Sequence, residues 1–475
     1  MPSKTPADGS KMAVLRIAWP IGVSMVSYTL KGFVDMLMVG HLGLEALAGV
    51  GLAGILAWNI TAFPWGALRG QRPLVSQYLG AGDTTAALSF GVHAFYFATM
   101  ASALFVVFAS QLGQFGQWVG ETSNISPESA IIAGEYLGLR MLWAAPMLLA
   151  MAVAEYLRST ERPRIPMAAD LLSHPLNVAF NYVLIFGKFG IPAMGVRGAA
   201  IGTGLADLCA MTVMFWLARP KRGQWAQLSQ EHPLRFRWSR MKRVFETGWT
   251  GGFQFMIEGG AFALITYFVG FLGTASLAIH QAAIQLVHMS IMPAVAVADG
   301  GSVLIGKYVG ELRWEQVRKT VRSVLQLILP FMCLMGVVFV VWGEELMGLF
   351  LKDSDPIVHA KAIEMGGMVA IAVAAWQFGD AFQITYRFCL RATGDHKWVM
   401  WAGILVSWLL NVPIIAATIF WFNGDVFHAW MAFTAEIYIG GWIFHRRWRS
   451  GVWKSKRLVS DESGVEHSSL VSESE

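Results

Sequence analysis

Twelve long apolar runs constrain the fold of this 475-residue chain more than any other feature of its sequence. A helix needs about 20 mostly apolar residues to cross the hydrocarbon core of a bilayer. The runs cover residues 13–39, 46–68, 86–110, 128–154, 166–187, 197–218, 244–271, 276–303, 323–343, 359–386, 399–421 and 426–444. Only 14% of the residues are charged, whereas soluble proteins carry about 25%. The pattern predicts an all-α protein with twelve transmembrane helices in a lipid bilayer.

Basic residues are concentrated in alternate connections between these runs. The connections after the fourth, eighth and last runs include Arg158, Arg162, Arg164, Lys307, Arg313, Arg318, Lys319, Arg322 and the segment HRRWRS. The other set has little beyond Lys188, Arg197, Lys352 and Lys361. By the positive-inside rule, the basic connections and both termini are expected in the cytoplasm. Membrane orientation thus accounts for the net charge of +5, and we expect no nucleic acid partner.

The longest polar interruption divides the twelve runs six and six. It is rich in arginine and lysine and covers residues 219–243. We therefore expect five parts: a cytoplasmic tail at 1–12, an N-lobe of helices 1–6 at 13–218, a cytoplasmic linker at 219–243, a C-lobe of helices 7–12 at 244–445, and a cytoplasmic tail at 446–475.

An internal repeat relates the two lobes. VGHLGLEALA at 39–48 and VGFLGTASLA at 269–278 share six identities in ten positions, at an offset of 230. LVSQYLG at 74–80 and LIGKYVG at 304–310 keep that offset, and LRSTERPR at 157 aligns with LRATGDHK at 390. Repeats with an even number of spans have the same orientation, related by a pseudo-twofold axis along the membrane normal. Two such lobes form a central cleft, which is typical of secondary transporters.

Several sequence blocks resemble those of one transporter family. They are GFVDMLMVGHLGLEALAGVGLAG, SQYLGAGD, YLRSTERPR, LNVAFNYVLIFGKFGIPAMGVRGAAIGTGL, HQAAIQLVHMSIMPAVAVADGGSVLIGKYVGE and GDAFQITYRFCLRATGD. From about residue 13 to 445, the chain resembles the multidrug and toxic compound extrusion (MATE) family, particularly its bacterial NorM-type branch. The resemblance implies an antiporter that exports organic, often cationic compounds by switching two lobes between inward-open and outward-open forms. We expect a monomer in the bacterial inner membrane that needs no cofactor beyond its coupling ion, sodium or a proton.

Two acidic residues lie in the middle of predicted helices of the C-lobe. Glu258 belongs to the seventh run and Asp380 to the tenth. Carboxylates are costly in hydrocarbon, and two that converge favour a shared proton or an oxygen-ligated cation such as sodium. The pair matches the acidic pair that the NorM-type branch uses for cation coupling. The alternative is that each is a separately satisfied polar core residue.

In the N-lobe, Asp35 matches the acidic residue of the family. The resemblance places Asn177, Asn181 and Thr203 in a polar cluster with it, and their oxygens suit sodium or a protonated carboxyl. Lys31 lies one turn before Asp35 and could pair with it at i, i+4. Such an ion pair would make sodium binding there less favourable.

The remaining candidates concern substrate and gating. Gln281, Trp376 and Phe378 are candidate substrate contacts, since aromatic faces accept flat cations. The offset of 230 places Arg69 opposite Asp299, which predicts an ion pair that closes the cytoplasmic side between the lobes in the outward-open form. The alternative is that each charge is satisfied within its own lobe or lies in water. Among the other embedded carboxylates, Glu155 is interpreted as a solvated helix end beside Arg158. Three more are interpreted as structural, satisfied by local hydrogen bonds or lying in a wet vestibule: Asp170, Asp207 and Glu436.

Two other functions compete with drug export. A flippase of a lipid-linked oligosaccharide shares the broader architecture, and Arg69 and Arg72 could contact its pyrophosphate. The acidic pair of the C-lobe favours cationic cargo instead. A membrane enzyme would need a nucleophile or a metal site at the interface, and the sequence contains no such arrangement.

Overall fold

The computed structural model describes residues 8–122, 125–218, 233–351 and 356–459, and these residues form helices joined by short turns. The first half contains α1 (Lys11–Gly40), α2 (Leu44–Arg69), α3 (Gln71–Gly80), α4 (Thr84–Val107), α5 (Ala109–Thr122), α6 (Pro127–Leu142), α7 (Ala144–Ser159), α8 (Arg164–Phe186) and α9 (Gly195–Ala218). The second half contains α10 (Trp238–Gly270), α11 (Thr274–Gly310), α12 (Trp314–Val341), α13 (Gly343–Gly348), α14 (Pro356–Thr393), α15 (His396–Leu405), α16 (Val412–Phe420) and α17 (Val426–Arg449). A π-helix (Val406–Asn411) joins α15 to α16, and a 3-10 helix (Val452–Lys456) follows α17.

Each of the twelve predicted spans coincides with one helix or with a short run of helices. Within the described ranges, nine spans are long and apolar enough to cross a membrane, and α6 and α7 form a tenth with a bend of 47°. The other two, α8 and α17, are 23 and 24 residues long. The prediction of an all-α membrane fold is confirmed. Most of the predicted linker, residues 219–232, lies outside the described residues, as do 1–7 and 460–475 of the two tails.

Helix starts follow local capping chemistry. The side chain of Ser10 accepts a hydrogen bond from the backbone of Ala13 at the start of α1. Asp83 does the same for Ala86 at α4, and Asp425 for His428 at α17. Such caps satisfy backbone N–H groups that have no partner within the helix. The capping residues therefore mark where each of these three helices begins.

Pairs of residues 230 positions apart meet between the two halves, as expected close to a pseudo-twofold axis. Arg69 contacts Asp299, and Arg72 lies 3.5 Å from the hydroxyl of Ser302. The helices α3 and α11 cross nearby with almost no space between their backbones. A Cβ atom at Gly310 would lie 2.0 Å from the carbonyl oxygen of Gln77, so only glycine fits there. We call the end of the bundle that contains this crossing and the turns after α3, α7 and α11 the basic end.

Residues 452–459, which we call the C-terminal strap, connect the two halves at the basic end. Trp453 is buried and stacks on Trp448 at 4.3 Å between ring centroids. The backbone N–H of Leu458 donates a hydrogen bond to the Gln77 side chain on α3 at 2.7 Å. Gln77 in turn donates to the carbonyl of Ala392 in the second half at 2.8 Å. The strap therefore adds contacts where the two halves already pack closely.

Away from the basic end, the halves are less closely packed. Trp58 on α2 and Phe255 on α10 lie 5.6 Å apart across the two halves, yet expose 44% and 37% of their surface. Nearer the basic end, the backbones of Gly66 and Gly252 are in direct contact. The two halves are therefore in backbone contact near the basic end, and their aromatic side chains meet farther from it.

Candidate functional site

Glu258 on α10 is held by an arginine of the neighbouring helix. Both of its carboxylate oxygens accept hydrogen bonds from Arg387 on α14, and the Gln254 amide donates to it at 2.6 Å. A guanidinium that contacts both oxygens of a carboxylate neutralises its charge and fixes its orientation. The structure thus pairs Glu258 with Arg387 rather than with Asp380. Arg387, which sequence analysis missed, lies seven residues after Asp380 on the same helical face, and this spacing could have revealed it.

Asp380 and Glu436 are buried carboxylates in the same half. Each exposes only 3% of its surface. Within the described ranges neither forms a salt bridge, and one oxygen of Asp380 has no hydrogen-bond partner. Both interact electrostatically with Arg387. Glu436, which the sequence suggested was structural, therefore belongs with Asp380 and Glu258 in one charged cluster.

A cavity of about 140 Å³ lies inside this cluster. Its polar lining consists of Glu258, Gln383, Arg387, Ser407, Asn411 and Glu436. The π-helix supplies Ser407 and Asn411, and irregular turns of this type are frequent at functional sites. A cavity of this volume has room for several water molecules, so it could pass protons or hold a hydrated ion. Among the residues described here, no group of three or more His, Cys, Asp or Glu side chains is arranged to hold a metal ion.

In the first half, Asp35 lies in the predicted polar cluster. It accepts a hydrogen bond from Asn181 at 2.8 Å, and Asn177 donates to the Thr203 hydroxyl at 3.2 Å. The side-chain oxygens of Asn177 and Asn181 are buried and have no partner within the described residues. The cluster joins α1, α8 and α9 and contains several oxygen atoms that could bind a further donor.

Lys31 does not pair with Asp35 as the sequence suggested. Its ammonium lies 3.2 Å from Asp207 on α9, and Arg140 on α6 is 3.9 Å from the other oxygen of Asp207. Asp207 lies within 4 Å of both cations, whereas Asp35 accepts a hydrogen bond from the Asn181 amide and interacts with Lys31 at longer range. Sequence analysis interpreted Asp207 as structural and missed Arg140.

The candidate substrate residues lie in different surroundings. Gln281 on α11 is exposed, and Phe378 on α14 exposes 43% of its surface while it stacks on Tyr438. Trp376 exposes only 4% and packs against Phe433 in the core. The ring of Trp376 is therefore buried in this conformation, and a substrate contact there stays a prediction.

Arg69 and Asp299 form an ion pair between the halves. Arg69 donates to both oxygens of Asp299 at 2.8 and 2.7 Å. Arg72 also donates to Asp299 and continues to Glu155 at 2.6 and 3.0 Å. Arg158 lies 2.8 Å from the second oxygen of Glu155. We call these five residues the inter-half network, in which three arginines alternate with two fully buried carboxylates. Sequence analysis expected the pair of Arg69 and Asp299 and the proximity of Glu155 to Arg158, but Glu155 is buried and not a solvated helix end.

The comparisons with known proteins agree with this architecture. The MatE family model matches residues 20–183 and 252–416, more than half of the chain. The chain is 24% identical over 460 residues to the uncharacterized transporter YisQ of Bacillus subtilis, covering 96% of this chain and 98% of YisQ. It is also 24% identical to a probable multidrug resistance protein NorM of Thermotoga maritima, covering 94% of each chain.

A solved structure shares the fold. It is described as the outward-facing conformation of a multidrug resistance MATE family transporter, and it superposes with a TM-score of 0.82 at 16% identity, covering 96% of this chain and all of the other. The family model spans both halves, including the helices that carry Asp35, Glu258 and Asp380. The chain therefore belongs to the MATE family and is a multi-pass membrane transporter rather than an enzyme.

Proposed function

We propose that this transporter exports organic, mainly cationic and amphipathic compounds in exchange for sodium ions or protons. The observation that supports this most directly is the cluster of buried carboxylates in the second half, of which Asp380 and Glu436 lack a salt bridge within the described ranges. Carboxylates inside a membrane protein usually serve a transported ion or a proton relay. The multidrug resistance name of the Thermotoga relative supports the class of cargo.

The proposed mechanism is alternating access between the two lobes. In our assignment, the basic end faces the cytoplasm of a bacterium, both termini lie on that side, and the protein works as a monomer in the inner membrane. The inter-half network closes the cytoplasmic side while the cleft opens outward. An ion or proton that enters the second lobe binds one conformation better than the other, and this differential affinity shifts the equilibrium. Asp35 and its neighbours would provide a second ion site, in the first lobe.

The proposal predicts that Asp380→Asn abolishes coupled export. Asparagine keeps the size of the side chain and removes the charge on which the ion acts. The measurement is ethidium efflux from vesicles that contain the purified protein, first under an imposed sodium gradient and then under an imposed pH gradient. The two gradients also distinguish sodium from proton coupling.

A matched control is Asp425→Asn, because Asp425 is an exposed carboxylate that caps α17 and asparagine also caps helices. This variant should transport normally. Undiminished gradient-driven efflux by Asp380→Asn would refute the assignment of the second-lobe site.

The flippase alternative loses its main support. A pyrophosphate carrier needs free cations in its cleft, but Arg69 and Arg72 are both bound to carboxylates of the inter-half network. Retention of lipid-linked oligosaccharide in a strain that lacks the protein, with unchanged drug sensitivity, would favour the flippase again.

A further inference from the structure

The chain that leads into α10 lies along the outside of α4 without forming a helix of its own. The Tyr96 hydroxyl donates a hydrogen bond to the carbonyl of Leu234 at 2.7 Å. The backbone N–H of Arg237 donates to the His93 ring at 2.8 Å. Non-helical backbone needs such partners close to the apolar part of a membrane, where water is scarce. Two side chains of a spanning helix therefore hold this short segment in place.

The segment lies beside the spanning helices rather than beyond their ends. Thr84 begins α4 at the basic end, and Tyr96 follows it after a rise of about 18 Å at 1.5 Å per residue. At the same level, Phe97 on α4 contacts Phe245 on α10, with ring centroids 6.4 Å apart. The backbone bonded to Tyr96, that of Leu234, is thus level with α10 some two turns after its start. This depth corresponds to the boundary between headgroups and acyl chains.

Three large apolar side chains of the segment are exposed. Leu234, Phe236 and Trp238 expose 53%, 50% and 68% of their surface. Phe236 stacks on His93 at 5.7 Å between ring centroids and lies 6.4 Å from the ring of Trp238. Aromatic side chains of this kind are enriched where a membrane protein meets the headgroup region. Their exposed faces are therefore suited to contact lipid rather than water.

Cationic side chains alternate with these apolar ones. Arg235 and Arg237 are both exposed, and residues 233–243 contain five arginines and lysines but no acidic residue. Among the residues described, no carboxylate forms a salt bridge with either of these two arginines. Lys242, by contrast, lies 3.9 Å from Glu246. The two arginines thus present charge that a negatively charged molecule can balance.

We propose that residues 234–238 bind an anionic phospholipid of the cytoplasmic leaflet. Arg235 and Arg237 bind the headgroup phosphate, whose oxygens fit the planar donors of a guanidinium. The acyl chains lie against the exposed rings of Phe236 and Trp238. A zwitterionic lipid is disfavoured because its own cationic group meets the two arginines. The leaflet follows from our assignment of the basic end to the cytoplasm, whereas the binding itself depends neither on that assignment nor on the proposed export.

The test measures lipid binding to the purified, delipidated full chain in detergent by native mass spectrometry. The probes are dioleoylphosphatidylglycerol, which is anionic, and dioleoylphosphatidylcholine, which has the same acyl chains and no net charge. The wild type should bind the first phosphatidylglycerol at least about fivefold more tightly, the effect of one basic residue near an anionic surface. The double variant Arg235→Gln with Arg237→Gln should lose this preference. Arg235→Lys with Arg237→Lys keeps both charges and should retain most of it.

A matched control is Arg446→Gln with Arg449→Gln, which removes two exposed charges from the last turn of α17. It should keep the wild-type preference. The inference is overturned if the glutamine variant at 235 and 237 keeps the preference, or if the control loses as much of it.

A further arm adds an excess of glycerol 1-phosphate, which carries the phosphate without acyl chains. It should not displace the lipid, because the aromatic contacts are absent; displacement would overturn the assignment to a lipid and favour a soluble phosphate. If phosphatidylglycerol is preferred but no gradient drives drug export, only the proposed function fails. If export is observed and the two lipids bind alike, only this inference fails.

Discussion

Buried carboxylates in this bundle are stabilised in different ways, and the difference separates their roles. Asp299 is shared by two arginines, and Glu258 is bound by one arginine and one amide. One carboxylate oxygen of Asp380, by contrast, has no hydrogen-bond partner within the described ranges. A buried polar group without a partner costs about 1–3 kcal/mol. Asp380 is therefore the carboxylate that gains most from a bound proton or cation.

A single glycine controls the geometry of the Asp35 cluster. We predict that Gly202→Ala displaces Asn181, because the new Cβ would lie 2.3 Å from its side-chain oxygen. Such overpacking costs about 1–3 kcal/mol, and the hydrogen bond from Asn181 to Asp35 would be lost. The measurement is the melting temperature of the purified protein together with coupled efflux; both should fall.

The control is Gly259→Ala on α10, where no atom lies within 4 Å of the new Cβ. This variant should melt at or above the wild-type temperature, because alanine favours helix. Equal melting temperatures for the two variants would contradict the role assigned to Gly202.

The candidate residues could be found from the sequence more easily than their partners could. Asp35, Glu258 and Asp380 stand out because charged residues are rare in apolar runs. Lys31, however, pairs with Asp207, 176 positions away, instead of Asp35, four positions away. Partner choice depends on how α1, α8 and α9 pack together, and helical spacing carries no information about that.

At the level of helices, the crossing of α3 and α11 determines how closely the two halves approach. We predict that Gly310→Ala separates the basic end, because its Cβ would meet the backbone oxygen of Gln77 at 2.0 Å and a backbone cannot move aside as a side chain can. The population should shift toward the form that is open at the basic end. Spin labels at the exposed Arg162 and Lys319, one in each half, report this distance once the three native cysteines are replaced.

The matched control is Gly270→Ala at the far end of α10, where the Cβ would meet nothing within 4 Å. It should leave the spin-label distances unchanged. A wild-type distribution for Gly310→Ala would show that the crossing does not limit closure.

The helices themselves follow closely from the sequence, since a span needs only length and apolarity. The π-helix at Val406–Asn411 does not, because it lies inside an uninterrupted apolar run. Its only sequence signal is Pro413, which lacks the N–H that a regular helix would use at that position. The cavity that this turn helps to line was therefore beyond the reach of sequence analysis.

For the whole molecule, the inter-half network provides a way to rank variants. We predict that Asp299→Asn opens the basic end more than Arg69→Ala does. Loss of Asp299 leaves Arg69 and Arg72 facing each other, and breaking a buried pair from one side costs roughly 3–5 kcal/mol. Loss of Arg69 leaves Asp299 bound to Arg72. The same spin-label distances measure both effects.

Lys242→Ala serves as the control, because this lysine is exposed and lies 3.9 Å from Glu246. Exposed ion pairs contribute only about 0–1 kcal/mol to stability. Exchange of the charges at positions 69 and 299 should restore closure only in part, because an arginine at 299 would face Arg72. A larger effect for Arg69→Ala than for Asp299→Asn would contradict this ranking.

The contact between Arg69 and Asp299, 230 residues apart, also limits which half can assemble with which. In a twofold homodimer of two identical six-helix chains, a residue close to the axis faces its own copy. Two copies of the first half would place arginine against arginine, and two copies of the second half would place aspartate against aspartate. Only a first half paired with a second half brings an arginine against an aspartate at the axis. If the halves were expressed as separate chains, this contact would favour the heterodimer over both homodimers.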